Sequence, residues 1–231
     1  MRSKETQVFF LAHLALLAIV GVGFARTFYL RGLFIPRPLS MTLQLHGAAL
    51  TFWFALAALQ GWLALTGRRA WHARLAWLAV VAVAGVVVTG LQVNTGVALQ
   101  IESAGDPENM FVWANYMSLL SFVGLVALAV AQRRRLPAHR RLLLFASLSI
   151  IGPAFARVAF WPWVGQGVVM APAFAGAGML LLIALAVGYD LVAQRRVQPA
   201  TWVGLGGLLV PIFAGTGVAL SGAGFALLHH A

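Results

Sequence analysis

Two histidines in this sequence stand in matching surroundings. His72 follows Arg68-Arg69-Ala70-Trp71 and precedes Ala73-Arg74-Leu75. His139 follows Arg134-Arg135-Leu136-Pro137-Ala138 and precedes Arg140-Arg141-Leu142. Each opens a long apolar stretch, and the order of the spans starts both stretches from the same face. The two imidazoles therefore fall at about equal depth. If the two helices are neighbours across a bundle, the rings can face one another. Axial ligation of a haem iron needs such a pair, one nitrogen from each side. Nearby guanidiniums, Arg69 and Arg140 among them, suit the propionate carboxylates of a haem. A third basic run, Arg195-Arg196-Val197-Gln198-Pro199-Ala200, has no histidine. Membrane topology alone accounts for arginines in such runs. It does not account for the histidines, for which simple solvation at the interface is the other reading.

The remaining polar groups are sparse. His46 lies near one end of its apolar run and His13 in the first run. At about 1.5 Å of rise per residue they sit at different depths and do not form a pair. Intramembrane polar groups are costly and so are candidates for function. His46 is a candidate contact for a quinone or other ligand, and His13 for a helix-to-helix hydrogen bond. Arg157, beyond Pro153, calls for a carboxylate such as Glu102, Asp106 or Glu108, or for a route by which it snorkels to the surface. Asp190 is expected to pair with Arg195 or Arg196. Gln92, Asn94, Asn115 and Arg157 could instead line a solute path. The chain has no cysteine and five acidic residues. Disulfides and thiolate chemistry are thereby excluded, and a carboxylate-based hydrolytic site is disfavoured. There is no Ser-His-Asp arrangement, phosphate-binding loop or HExxH motif.

The elements that must position these groups are apolar helices. Of the 231 residues, 61% are hydrophobic and 9% charged, whereas a soluble domain carries about 25% charged residues. Net charge is +11. In a soluble protein that would point to nucleic acid, but here the basic residues sit at the ends of apolar runs, which is the membrane pattern. A nucleic-acid partner is not expected. Seven stretches reach the roughly 20 residues needed to cross a bilayer: 7–25, 41–66, 73–99, 112–132, 141–161, 168–192 and 200–226. The expectation is an all-α, single-domain bundle over 1–231, in the inner membrane of a bacterium. The first stretch is read as a retained helix, since Gly23-Phe24-Ala25-Arg26 lacks a small-x-small cleavage pattern.

Orientation follows from Lys and Arg. Arg2 and Lys4, Arg68 to Arg74, Arg133 to Arg141, and Arg195 with Arg196 all fall on one side. The opposite connection at 100–111 has no Lys or Arg and carries Glu102, Asp106 and Glu108. The N-terminus is expected inside and the C-terminus, His229-His230-Ala231, outside. Segment 26–40 breaks the rule with Arg26, Arg31 and Arg37 outside, among Phe28, Tyr29, Leu30, Leu33, Phe34 and Ile35. It reads as an interfacial segment whose arginines meet lipid phosphates, or as a lid over an anionic ligand. Trp113, Tyr116, Trp161 and Trp163 fit an aromatic belt. On the third stretch Gly85, Thr89, Gln92 and Gly96 form one small, polar face suited to close helix packing.

Three motifs carry a resemblance. They are Leu45-His46-Gly47, Arg68-Arg69-Ala70-Trp71-His72, and Ala138-His139-Arg140-Arg141-Leu142. Together they make helices two to five, about 100 residues, similar to the transmembrane cytochromes of the cytochrome b-561 family, and to bacterial multi-pass membrane proteins with the same His-Arg loops. The resemblance implies an inner-side haem b held by His72 and His139. The family's second haem needs a histidine on the helix at 112–132. This chain has none there, with Asn115 and Tyr116 nearest the position, so His46 lacks a partner.

Three functions are consistent with these features. A mono-haem b-type cytochrome would move electrons or act on quinone, with His72 and His139 as ligands. A non-catalytic scaffold of a respiratory complex would need no site. A small-solute transporter would use the polar path.

Overall fold

The computed structural model describes residues 2–165 and 167–229, without the side chains of Arg2, Ser3, Pro107, Val168 and His229. The chain is 83% helix, with no strand among the described residues. Helix is the form these apolar runs must take away from water, because it satisfies every backbone N–H and C=O within one segment. In order the elements are α1 (Arg2–Phe24), a π turn (Ala25–Tyr29), α2 (Arg31–Phe34), α3 (Met41–Leu65), α4 (Arg69–Leu75), α5 (Leu78–Ala98) and α6 (Pro107–Ala131). They continue as α7 (Leu136–Ser149), α8 (Gly152–Ala156), a 3-10 turn (Arg157–Phe160), α9 (Gly167–Gln194), α10 (Pro199–Leu220) and α11 (Ala223–His229).

Six helical segments are long and apolar enough to cross a membrane: Lys4–Tyr29, Met41–Leu65, Arg69–Ala98, Glu108–Ala131, Val169–Gln194 and Pro199–Leu220. Their mean hydropathy runs from 1.6 to 2.4, yet only 11% to 33% of each most apolar window is buried. Side chains such as Val80, Val169, Leu180, Val192 and Phe213 are at least two-thirds exposed. Exposed apolar surface on that scale suits lipid and not water, as a multi-pass membrane protein requires.

Several expected bounds change: the stretch expected over 73–99 is α4 and α5, and the one expected over 200–226 ends at Leu220 with α11 after it. The run expected as one helix over 141–161 is interrupted after Ser149, and α8 and a 3-10 turn follow. Pro153 supplies the reason, having no N–H to bond one turn back. The helix expected from 112 starts at Pro107. Asp106 is its N-cap, its carboxylate accepting from the Glu108 N–H at 2.9 Å, and proline suits the first helical position. Pro172 and Pro211, by contrast, lie inside continuous helices.

The chain divides into two compact units, residues 1–89 with 151–184, and 90–150 with 185–231. In the first unit α1 lies along α3, with Phe10 against Gly61, where an added Cβ would come 3.2 Å from the Phe10 Cα. At its other end α1 meets α8. A Cβ on Gly23 would collide with the Ala154 carbonyl, so only glycine allows that approach. In the second unit α6, α7 and α10 pack around Phe122, Leu125, Phe145, Leu148 and Leu208, all fully buried. The Phe145 ring lies against Gly204. The Trp113 ring lies against Gly224 of α11, and its backbone carbonyl against Gly215 of α10. Trp161 and Trp163 stack with ring centres 4.5 Å apart, and Trp163 is 76% exposed.

Candidate functional site

His72 belongs to the first unit and His139 to the second. His72 lies on α4, the short helix ahead of α5, and is half-buried. Its Nδ1 lies 3.3 Å from the Gln60 carbonyl of α3. His139 stands in the first turn of α7, also half-buried, with Nδ1 2.8 Å from the Ala129 carbonyl at the end of α6. A carbonyl oxygen only accepts, so Nδ1 carries the proton in both rings. The lone pair of the neutral imidazole is then on Nε2. Metal-bound histidines show this arrangement, in which a carbonyl fixes the tautomer and the ring's orientation while the other nitrogen serves the metal. The donor chemistry of each ring therefore fits an iron ligand.

Gln60 adds an observation that sequence reasoning passed over. Both polar atoms of its side-chain amide are buried and have no partner. An orphaned buried amide costs about 1–3 kcal/mol, and this one belongs to the residue whose carbonyl holds His72. The signal was legible, since Gln60 is a lone amide inside an apolar run. Of the expected propionate partners, Arg69 is exposed at the start of α4 and Arg140 is half-buried beside His139 in α7. Arg68 and Arg74 lie over the rings of Trp62 and Trp71, at 4.8 and 5.6 Å.

His46 sits in the second turn of α3, with Nδ1 3.0 Å from the Thr89 hydroxyl. That hydroxyl donates to the Gly85 carbonyl at 2.6 Å, so it accepts from His46 and leaves the His46 lone pair on Nε2. Close packing of the small face holds at Gly85, which sits against Ala49. It does not hold at Gly96, where nothing lies within 4 Å. The His13 Nδ1 bonds the Phe9 carbonyl one turn back in its own helix, at 2.8 Å.

Comparison with family models, curated proteins and solved structures gives no match. Among the described residues there is no group of three or more His, Asp or Glu placed to hold a metal ion, and an imidazole pair on haem needs none.

One expected ion pair is corrected. Asp190 pairs with Arg141 instead of Arg195 or Arg196. Arg141 donates to one carboxylate oxygen through Nε and Nη2, at 3.0 and 2.6 Å. The other oxygen accepts from the Gln198 N–H at 2.9 Å and from the Thr201 hydroxyl at 2.5 Å. Arg195 and Arg196 stand exposed where α9 ends, with Arg195 at a left-handed φ of 59°. Arg157 makes no ion pair with a described residue of the first unit. Its Nη1 donates to the Pro153 carbonyl at 3.2 Å, and its guanidinium lies 4.5 Å over the Phe24 ring.

Two of the residues considered for a solute path bond each other. Asn94 donates to the Val112 carbonyl at 2.9 Å, and its own carbonyl accepts from Asn115 at 3.3 Å. Such bonds between helices are the usual use of amides in a membrane.

Proposed function

We propose that the chain is a b-type haem protein of a bacterial inner membrane, with His72 and His139 each supplying an imidazole to haem iron. One observation carries the reading. Both rings, in separate local structures, have Nδ1 on a backbone carbonyl, which places the imidazole lone pair on Nε2. Similarity of the His-Arg motifs to the cytochrome b-561 family supports it. Haem, when bound, supplies one-electron chemistry between ferric and ferrous iron. The protein's part is to fix the two tautomers, to keep the site in apolar surroundings, and to offer Arg69 and Arg140 to the propionates. Lipid-soluble quinone, or a subunit of a respiratory complex, is the class of electron partner that so apolar a chain can meet.

The proposed topology has seven spans, with α7, α8 and the 3-10 turn as a broken seventh. The basic runs lie inside with the N-terminus, and the C-terminus lies outside. His230 and Ala231 are outside the described residues.

A second reading, a non-catalytic scaffold, has one observation in its favour. The His139 bond to Ala129 also satisfies a carbonyl in the last turn of α6, a structural duty in itself. A reduced-minus-oxidised absorption spectrum of the purified protein separates the two. A sharp b-type band, lost in His72→Ala and His139→Ala, supports the cytochrome, and a flat spectrum from folded, haem-supplied protein leaves the scaffold.

A further inference from the structure

At the end of α1 the first unit gathers two cations and no anion. Arg26 lies in the π turn that follows α1 and donates through Nη1 to the Phe160 carbonyl. Arg157 holds the Pro153 carbonyl and lies over Phe24, two residues before Arg26. Both guanidiniums thus close on the same stretch, 153–160, and both are half-buried. Within the first unit, neither makes an ion pair with a described residue. Arg26 goes further, since its Nε is buried and has no hydrogen-bond partner at all. The chain offers them nothing nearby in sequence, because no Asp or Glu occurs from residue 6 to 101 or from 109 to 189.

Each guanidinium pays a desolvation cost that a carbonyl and an aromatic face offset only in part. An oxyanion removes both penalties, and the planar fork of arginine matches phosphate. From these groups we propose that Arg26 and Arg157 form a binding site for the phosphate of an anionic phospholipid. The lipid source is favoured by the surface that follows Arg26 in the chain. A groove of about 510 Å³ begins at Phe28 in the same π turn and is lined by Leu39, Met41, Gln44, Leu45 and Ala48, with Arg31 among its lining residues. That surface suits an acyl chain below a charged headgroup. Arg31 itself is held by the chain, its Nε on the Arg37 carbonyl at 2.7 Å and its Nη1 on that of Thr27 at 3.3 Å. The segment is thereby held in place beside the groove.

The test is native mass spectrometry of the full chain in detergent, titrated with phosphatidylglycerol, with phosphatidylcholine of the same acyl chains, and with inorganic phosphate. Wild type should prefer phosphatidylglycerol by about tenfold or more, the scale of one or two charge-assisted hydrogen bonds. Arg26→Gln and Arg157→Gln should each lose that preference. Arg157→Lys should keep part of it, and Arg133→Gln, on an exposed loop, should keep all of it. Thermal shift of the wild-type protein gives a readout independent of variant folding, since a lipid that binds the native state raises Tm. Phosphatidylglycerol should raise it more than phosphatidylcholine does. Equal binding and equal shifts by the two lipids would overturn the proposal, as would a preference that survives both glutamine variants. Inorganic phosphate raising Tm as much as the lipid would overturn the lipid source.

Discussion

Replacing Asp190 with alanine removes the one group that four donors share. Arg141 would stay behind with 2% of its surface exposed and no counter-charge, and the Gln198 N–H and Thr201 hydroxyl would lose their acceptor. Breaking a buried pair by deleting one partner costs about 3–5 kcal/mol. A domain of 150–250 residues loses about 2–4 °C of Tm per kcal/mol, so Asp190→Ala should melt about 6–20 °C below wild type. Asp190→Asn keeps the shape and one acceptor oxygen but not the charge, and should fall between the two. Replacing both partners, as in Arg141→Met with Asp190→Leu, removes the uncompensated charge. It should recover most of the loss, short of the roughly 1–3 kcal/mol for the polar groups of Gln198 and Thr201. The assay is thermal unfolding in detergent, followed by tryptophan fluorescence. A Tm for Asp190→Ala within about 2 °C of wild type would refute the reasoning, as would a double variant less stable than either single one.

Three further outcomes follow from the packing and the topology. Gly23→Ala puts a methyl group into the Ala154 carbonyl and should destabilise by about 1–3 kcal/mol, read as a lower Tm with helix content unchanged. Asn94→Ala removes its bonds to Val112 and Asn115 and should cost about 1–3 kcal/mol at the 0.6–1.7 kcal/mol typical of each membrane hydrogen bond; steric trapping or SDS unfolding measures it, and no change would mean the two amides do not hold the helices. Because the chain has no cysteine, single substitutions report topology without background: an impermeant maleimide should label Ser103→Cys in intact cells and Arg134→Cys only after lysis, and the reverse pattern would invert the proposed orientation.

Most of the helical positions were legible because spanning helices announce themselves by length and apolarity. Pro153 marks the interruption after Ser149, but hydropathy averages over a break that proline chemistry creates, and Pro172 and Pro211 sit in unbroken helices. The start of α6 was misread for a related reason. Asp106-Pro107-Glu108 is a strong helix opening, but its polarity resembles a loop when only apolar length is counted. The Asp190 partner lay outside the reach of sequence. Arg195 and Arg196 are nearest along the chain, yet α9 ends there in a left-handed turn, and the carboxylate meets an arginine 49 residues away. For the candidate site, the types and setting of His72 and His139 were visible at once. The carbonyls that fix their tautomers, at Gln60 and Ala129, come from preceding helices and could only be seen in three dimensions.

The dithionite-reduced minus oxidised spectrum of the purified, haem-supplied protein bears most directly on the central claim, taken beside His72→Ala, His139→Ala and His13→Ala. A sharp b-type α-band in wild type and in His13→Ala, lost or strongly diminished in the other two variants, is the predicted result. A flat wild-type spectrum from folded protein, or a band that survives loss of both His72 and His139, would contradict it.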